Sequence, residues 1–146
     1  MNQPFYQFTT SKEVLRFNFI SVGHRTIHKV IIYQKLPPPN LYNLVLADID
    51  KYNQLDDFSI SDNGDRDKIL ATVIQTMFVF FEQYPNASVS FVGSTPARTR
   101  LYQAAIAREL DVATQRLAIY GLVNGIPEPF ERNKSYSGFV IFQKHL

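Results

Sequence analysis

Leu15-Arg16-Phe17-Asn18-Phe19-Ile20-Ser21-Val22-Gly23 is the stretch on which the fold turns. Apolar and polar side chains alternate through most of it, the period of two that marks a strand with one buried face. The segment 26–36 follows and is rich in β-branched and aromatic residues, with His28-Lys29-Val30-Ile31-Ile32-Tyr33 at its centre. Gly23-His24-Arg25 between the two is short enough for a hairpin. Pro37-Pro38-Pro39-Asn40 ends the second strand, because proline has no N–H to give a ladder. Leu41-Tyr42-Asn43-Leu44-Val45-Leu46-Ala47-Asp48 reads as a third strand, so the chain opens as an antiparallel meander.

Downstream the period changes. After a polar connection over 56–67, with a short edge strand expected at Phe58-Ser59-Ile60, Ile69, Val73, Met77 and Phe80 recur at helical spacing. Leu70, Phe81 and Tyr84 widen that stripe, and Pro85-Asn86 closes it. Asp62-Asn63-Gly64-Asp65 supplies capping residues, and Asp65 and Asp67 put negative charge at the positive end of the helix dipole. So broad an apolar face makes this helix the core element against the sheet. Ser88-Val89-Ser90-Phe91-Val92-Gly93 is a short strand, and Thr95 with Pro96 starts a second helix running to about Leu110 and burying Leu101, Ala105 and Ile106. A strand at 117–123, a turn at Asn124-Gly125 and a final strand at 136–144 complete the chain. The expected class is α+β: a mostly antiparallel sheet with two helices packed on one face, in the order βββ(β)αβαββ.

Composition sets the bounds. At 146 residues the chain is expected to be one domain, 1–146, with a real core. Fifteen Lys and Arg against 13 Asp and Glu leave +2, too little to imply a polyanion partner by itself. With no cysteine there is no disulfide framework, thiolate zinc site or cysteine nucleophile. The N-terminal residues lack the pattern of a signal peptide, and the apolar run at 69–81 is broken by Thr72, Gln75 and Thr76. The expectation is a cytoplasmic protein without a membrane partner.

The segment Gly93-Ser94-Thr95-Pro96-Ala97-Arg98-Thr99-Arg100 carries the most chemistry. A strand runs into a helix N-terminus, where free N–H groups and the dipole favour an anion. Ser94 and Thr95 offer hydroxyls there, and Arg98 and Arg100 offer guanidinium forks suited to phosphate or carboxylate. The bland alternative is that Thr95 caps the helix while the arginines pair with neighbouring carboxylates. Two residues apart, Arg98 and Arg100 lie about 200° round a helix, so they share a ligand only if the first turn is frayed.

Other clusters weigh less. Asp48, Asp50, Asp56, Asp57, Asp62, Asp65 and Asp67 are oxygen-rich but lack calcium-loop spacing. His24 and His28 flank the hairpin without a third ligand, and His145 sits beside the C-terminus. No Gly-x-Ser-x-Gly elbow is present. Arg16-Phe17-Asn18-Phe19 and Lys29-Val30-Ile31-Ile32-Tyr33, with Arg25 and Lys35, have the mix of aromatics and cations that stacks bases, although such aromatics are more often core.

These residues point first to a non-enzymatic binding domain with an anion-binding patch at Ser94, Thr95, Arg98 and Arg100, its partner a phosphate-bearing ligand or nucleic acid. No cofactor or metal is called for. A homodimer through sheet edges or aromatic surface, with no small ligand, is the second use. A divalent-metal enzyme built on the acidic cluster is the third.

Asn63-Gly64-Asp65-x-x-Lys68-Ile69-Leu70-Ala71-Thr72-Val73 together with Gly93-Ser94-Thr95-x-x-Arg98-Thr99-Arg100-Leu101-Tyr102 resembles a family of small, uncharacterised bacterial proteins of about this length. Tyr6-x-Phe8, Tyr42-Asn43-Leu44 and Tyr136-x-x-Phe139 extend the similarity over nearly the whole chain. The resemblance implies that Arg98-Thr99-Arg100 is a shared feature. It implies no activity and no catalytic residue.

Overall fold

The computed structural model describes residues 4–56, 63–93, 95–113 and 115–144. In chain order they form β1 (Thr9–Thr10), β2 (Arg16–Val22), β3 (Thr26–Lys35), β4 (Leu41–Ile49), β5 (Leu55–Asp56), α1 (Arg66–Gln83), β6 (Ser88–Phe91), α2 (Pro96–Ala113), β7 (Leu117–Val123), β8 (Ile126–Pro129) and β9 (Phe139–Gln143). The sheet runs β1-β2-β3-β4-β6-β9-β7-β8, with β5 paired to β4. Among the described residues only β4 and β6 pair in parallel, because the helix α1 carries the chain back between them. The α+β class, the mostly antiparallel sheet and the two helices on one face are therefore as the sequence predicts.

Strand alternation sorts the sheet into two faces. Phe17, Ile31, Leu46 and Tyr33, Leu44, with Tyr42, Val89, Ile141 and Ile119, lie in register on the helix side. Against them α1 buries Ile69, Val73, Met77, Phe80 and Phe81. Aromatic rings fill the layer between: Phe80 stacks on Tyr33 with centroids 4.2 Å apart and meets Tyr42 edge-on at 5.2 Å. The Thr76 hydroxyl donates to the Val73 carbonyl at 2.7 Å, so the buried Tyr33 phenol is the donor in its 2.9 Å bond to Thr76.

Burial raises the Tyr33 phenol above its ordinary value. Tyr6 and Tyr102 are raised as well, each first by burial. A phenol whose folded value is raised contributes stability that is complete below about pH 10, its unfolded value, and is lost above it. The urea midpoint is thus expected to hold up to pH 9 and fall between pH 10 and 11. A midpoint unchanged at pH 11 would show that these phenols ionise in place.

Several boundaries differ from the sequence-based expectation. The final strand begins at Phe139 rather than 136, because Tyr136 turns inward and lies flat on Gly121, where an added Cβ would meet its ring at 2.3 Å. The second helix continues to Ala113, and Leu101 on it is exposed rather than buried. β1 and β8 are additional short strands, while the strand expected at Phe58-Ser59-Ile60 lies outside the described residues. β8 carries Pro127 and Pro129, and β1 is two residues long, so both ends of the sheet resist edge-to-edge pairing. Among the described residues no helix is long and apolar enough to cross a membrane.

Candidate anion-binding site

The expected site opens where β6 hands over to α2. Ser94 lies outside the described residues. Thr95 occupies the N-cap, and its hydroxyl accepts the Arg98 N–H at 3.2 Å while its carbonyl accepts the Thr99 N–H at 3.0 Å. Thr99 is buried; its hydroxyl takes the Gly93 N–H at 3.1 Å and donates back to the Thr95 carbonyl at 3.2 Å. Gly93 is packed so closely on this turn that an added Cβ would lie 2.4 Å from the Thr99 nitrogen. The first turn is closed, not frayed. Pro96 has no N–H and Arg98 is capped internally, so little backbone donor capacity faces outward.

A closed turn also separates the arginines. Arg98 is half-buried on the flank where Tyr102 stacks on Phe91, centroids 4.3 Å apart, and its charge partly offsets the burial that raises the Tyr102 phenol. Arg100 is exposed and shares a helix face with Gln103, three residues on. The Gln103 amide donates to the Lys134 carbonyl, which fastens the loop 131–135 against that face. The loop carries Arg132 and Lys134, both exposed, and Lys134 is paired to Glu128. The bond thus joins a helix whose first turns carry Arg98 and Arg100 to a loop that carries Glu131, Arg132 and Lys134. The sequence reading missed the loop, since only the long-range bond from Gln103 brings it to the helix.

The remaining clusters resolve into structure. Asp65 sits at the N-cap of α1 but makes no capping bond; its carboxylate instead accepts the hydroxyls of Tyr6 and Ser21. Asn63 clasps the β2–β3 hairpin, taking the Arg25 N–H on Oδ1 at 2.6 Å and giving Nδ2 hydrogens to Ser21 Oγ and the Arg25 carbonyl. Asp50 holds the turn after β4, Asp48 pairs with the buried Lys29, and Asp67 pairs with Arg108 at 2.5 Å. Among the described residues no group of three His, Asp or Glu is gathered as a metal site. His24 packs on Gly64, whereas His28 stands opposite Ile20 on the other face of the sheet. Phe17, Phe19 and Tyr33 are core residues on the helix side, the commoner use of such aromatics, so these three rings offer no surface for stacking bases. The gap between α1, α2 and the sheet, lined by Val73, Met77, Phe91, Ala105 and Ile119, is apolar and about 20 Å³, room for no ligand.

No curated protein and no solved structure matches this chain. A family model described as a family of unknown function (DUF6934) matches residues 2–144. The two motifs that carried the resemblance, one clasping the hairpin and one closing the first turn of α2, both lie within that match, and the chain belongs to this family of unknown function.

Proposed function

We propose that this protein is a binding domain that recognises a phosphate-bearing ligand at the start of α2, through side-chain cations rather than helix-end amides. The observation that carries the reading is the Gln103–Lys134 bond, which sets a loop bearing Arg132 and Lys134 beside the helix face of Arg100. Guanidinium groups on a closed, rigid turn are pre-organised for a phosphate oxygen, and Thr95 spends its hydroxyl on the cap. Arg98 stands on the neighbouring flank and adds long-range attraction.

Titration with pyrophosphate by calorimetry tests this. The Arg98→Ala, Arg100→Ala double variant is expected to lose about tenfold or more in affinity, because a charged hydrogen bond contributes about 1.5–3 kcal/mol. Arg100→Ala alone should account for most of that loss. Affinity should fall steadily with added salt as counterions are released. Pyrophosphate binding that is equal in wild type and double variant, or no binding at all, overturns the reading.

A further inference from the structure

Residues 6–10 form an arm that docks on β2 and the start of α1. Tyr6 anchors it. The Tyr6 backbone N–H donates to Thr72 Oγ1 at 2.9 Å, and its hydroxyl donates to the Asp65 carboxylate and accepts the Val22 N–H at 3.0 Å. Its ring stacks on Phe19 with centroids 5.6 Å apart, and Lys68 Nζ stands 4.2 Å from the ring centre. Two residues on, Phe8 meets Phe17 edge-on at 5.5 Å, and Thr9 and Thr10 pair in register with Asn18 and Phe17. The arm thus fills a groove between the edge of β2 and the first turns of α1.

The turn that delivers the arm to this groove is strained. Ser11 organises it: its carbonyl accepts the Val14 N–H at 3.0 Å, and its hydroxyl accepts the N–H groups of Leu15 and Arg16, each at 3.2 Å. To close the turn Val14 takes a φ of 60°, in the left-handed region. Among the described residues the other non-glycines with positive φ are Asn40, Asn53, Asn124 and Asn133, all of a type that tolerates it. Valine is β-branched, so it resists this conformation and favours an extended strand. Packing of Val14 against the core holds it there. The hinge residue is therefore of the type that suits an open chain, not a closed turn.

A second copy can supply the groove to an opened arm. Carried through an extended 11–16, the register of Thr9 with Asn18 and Thr10 with Phe17 pairs Ser11 with Arg16, Lys12 with Leu15 and Glu13 with Val14 across two copies. That pairing is two-fold symmetric, as a closed dimer requires. Each groove then receives Tyr6 and Phe8 of the other copy with the same bonds, and both valines leave the left-handed region.

We infer that this protein exchanges its N-terminal arm with a second copy of itself, with Val14 as the strained hinge and the Tyr6 groove as the acceptor. Short hinges under strain favour such exchange. The inference is independent of the anion reading, since the arm touches neither α2 nor the loop 131–135 in any contact it uses.

The chain has no cysteine, so crosslinking reads the exchange directly. Thr9→Cys and Asn18→Cys chains, each carrying one substitution, are unfolded together at high concentration, refolded and oxidised. An exchanged arm sets residue 9 of one copy opposite residue 18 of the other, so a heterodimer linked 9 to 18 is expected, identified by peptide mass mapping. Val14→Gly and Val14→Ala lose the same packing, but only alanine keeps the strain. The glycine variant should therefore dimerise about fivefold more weakly per hinge, roughly 25-fold per dimer. Val14→Pro cannot take the closed φ and should be largely dimeric in light scattering. A mixture that stays monomeric, or links only 9 to 9 and 18 to 18, overturns the inference even where the proline variant does not fold. A folded, monomeric Val14→Pro overturns it as well. Equal dimerisation of the glycine and alanine variants would show that the turn stores no strain for the exchange to release, and also overturns it.

Discussion

Phe80→Ala is expected to cost about 3–5 kcal/mol, read as a drop in the urea midpoint at unchanged slope. Phe80 is fully buried, and its ring touches four others: Tyr33, Tyr42, Phe81 and Tyr84, with centroids between 4.2 and 5.3 Å. Truncation removes the apolar area of one ring and the partner surface of four, none of which can turn to fill the gap without leaving its own contacts. Domains of this size are stable by about 5–15 kcal/mol, so the variant would sit near the edge of folding at 37 °C. Phe80→Leu keeps most of the volume and should recover more than half of the loss. A cost below about 1 kcal/mol for the alanine would mean that α1 settles onto the sheet and closes the space.

Asn63→Ala should cost about 2–4 kcal/mol and should act locally as well as globally. The Asn63 amide makes three bonds to the hairpin, and the backbone carbonyl of Asn63 accepts the His24 N–H at 2.9 Å. Loss of the side chain strips the Arg25 N–H of its partner, leaves the Arg25 carbonyl with the Gly23 N–H at 3.1 Å, and leaves the buried Ser21 hydroxyl with Asp65 alone. The Arg25 amide should then exchange with solvent far faster than the amides of β4. Gly23→Ala should act in the same direction, since its Cβ would lie 1.7 Å from the Asn63 carbonyl oxygen. If Asn63→Ala lowers the midpoint without quickening exchange at Arg25, the clasp does not anchor the hairpin and the cost comes from α1 instead.

These two positions show how differently sequence reports on structure. Phe80 announces itself: it stands at the end of a three- and four-residue spacing that only a one-sided helix produces. Asn63 does not. Beside Asp62, Gly64 and Asp65 it reads as part of a helix cap, and only the fold shows that it faces a hairpin some forty residues earlier. Asp65 follows the same rule, since a carboxylate at an N-cap satisfies the local pattern and here serves Tyr6 and Ser21 instead. The candidate site divides in the same way. Thr95 and Pro96 start α2 as their types predict, and the angle between Arg98 and Arg100 follows from the helical repeat alone.

The sequence by itself determined the α+β class, both helices, the opening hairpin and the Asn124-Gly125 turn. Each of these depends on periodicity or turn chemistry within a few residues, where local energies are decisive. Tertiary structure alone decided the strand order, the parallel pairing of β4 with β6 and the inward turn of Tyr136. It alone brought the loop 131–135 to α2, through one bond between residues 31 apart. It also put Tyr120 and Phe142 together, ring centroids 5.5 Å apart, on the side of the sheet away from the helices. Period two says that a strand has two faces. Which face meets the helices is chosen by the burial of the whole sheet, and that choice sends Phe17, Phe19 and Tyr33 inward and leaves Arg16, Tyr120 and Phe142 outside.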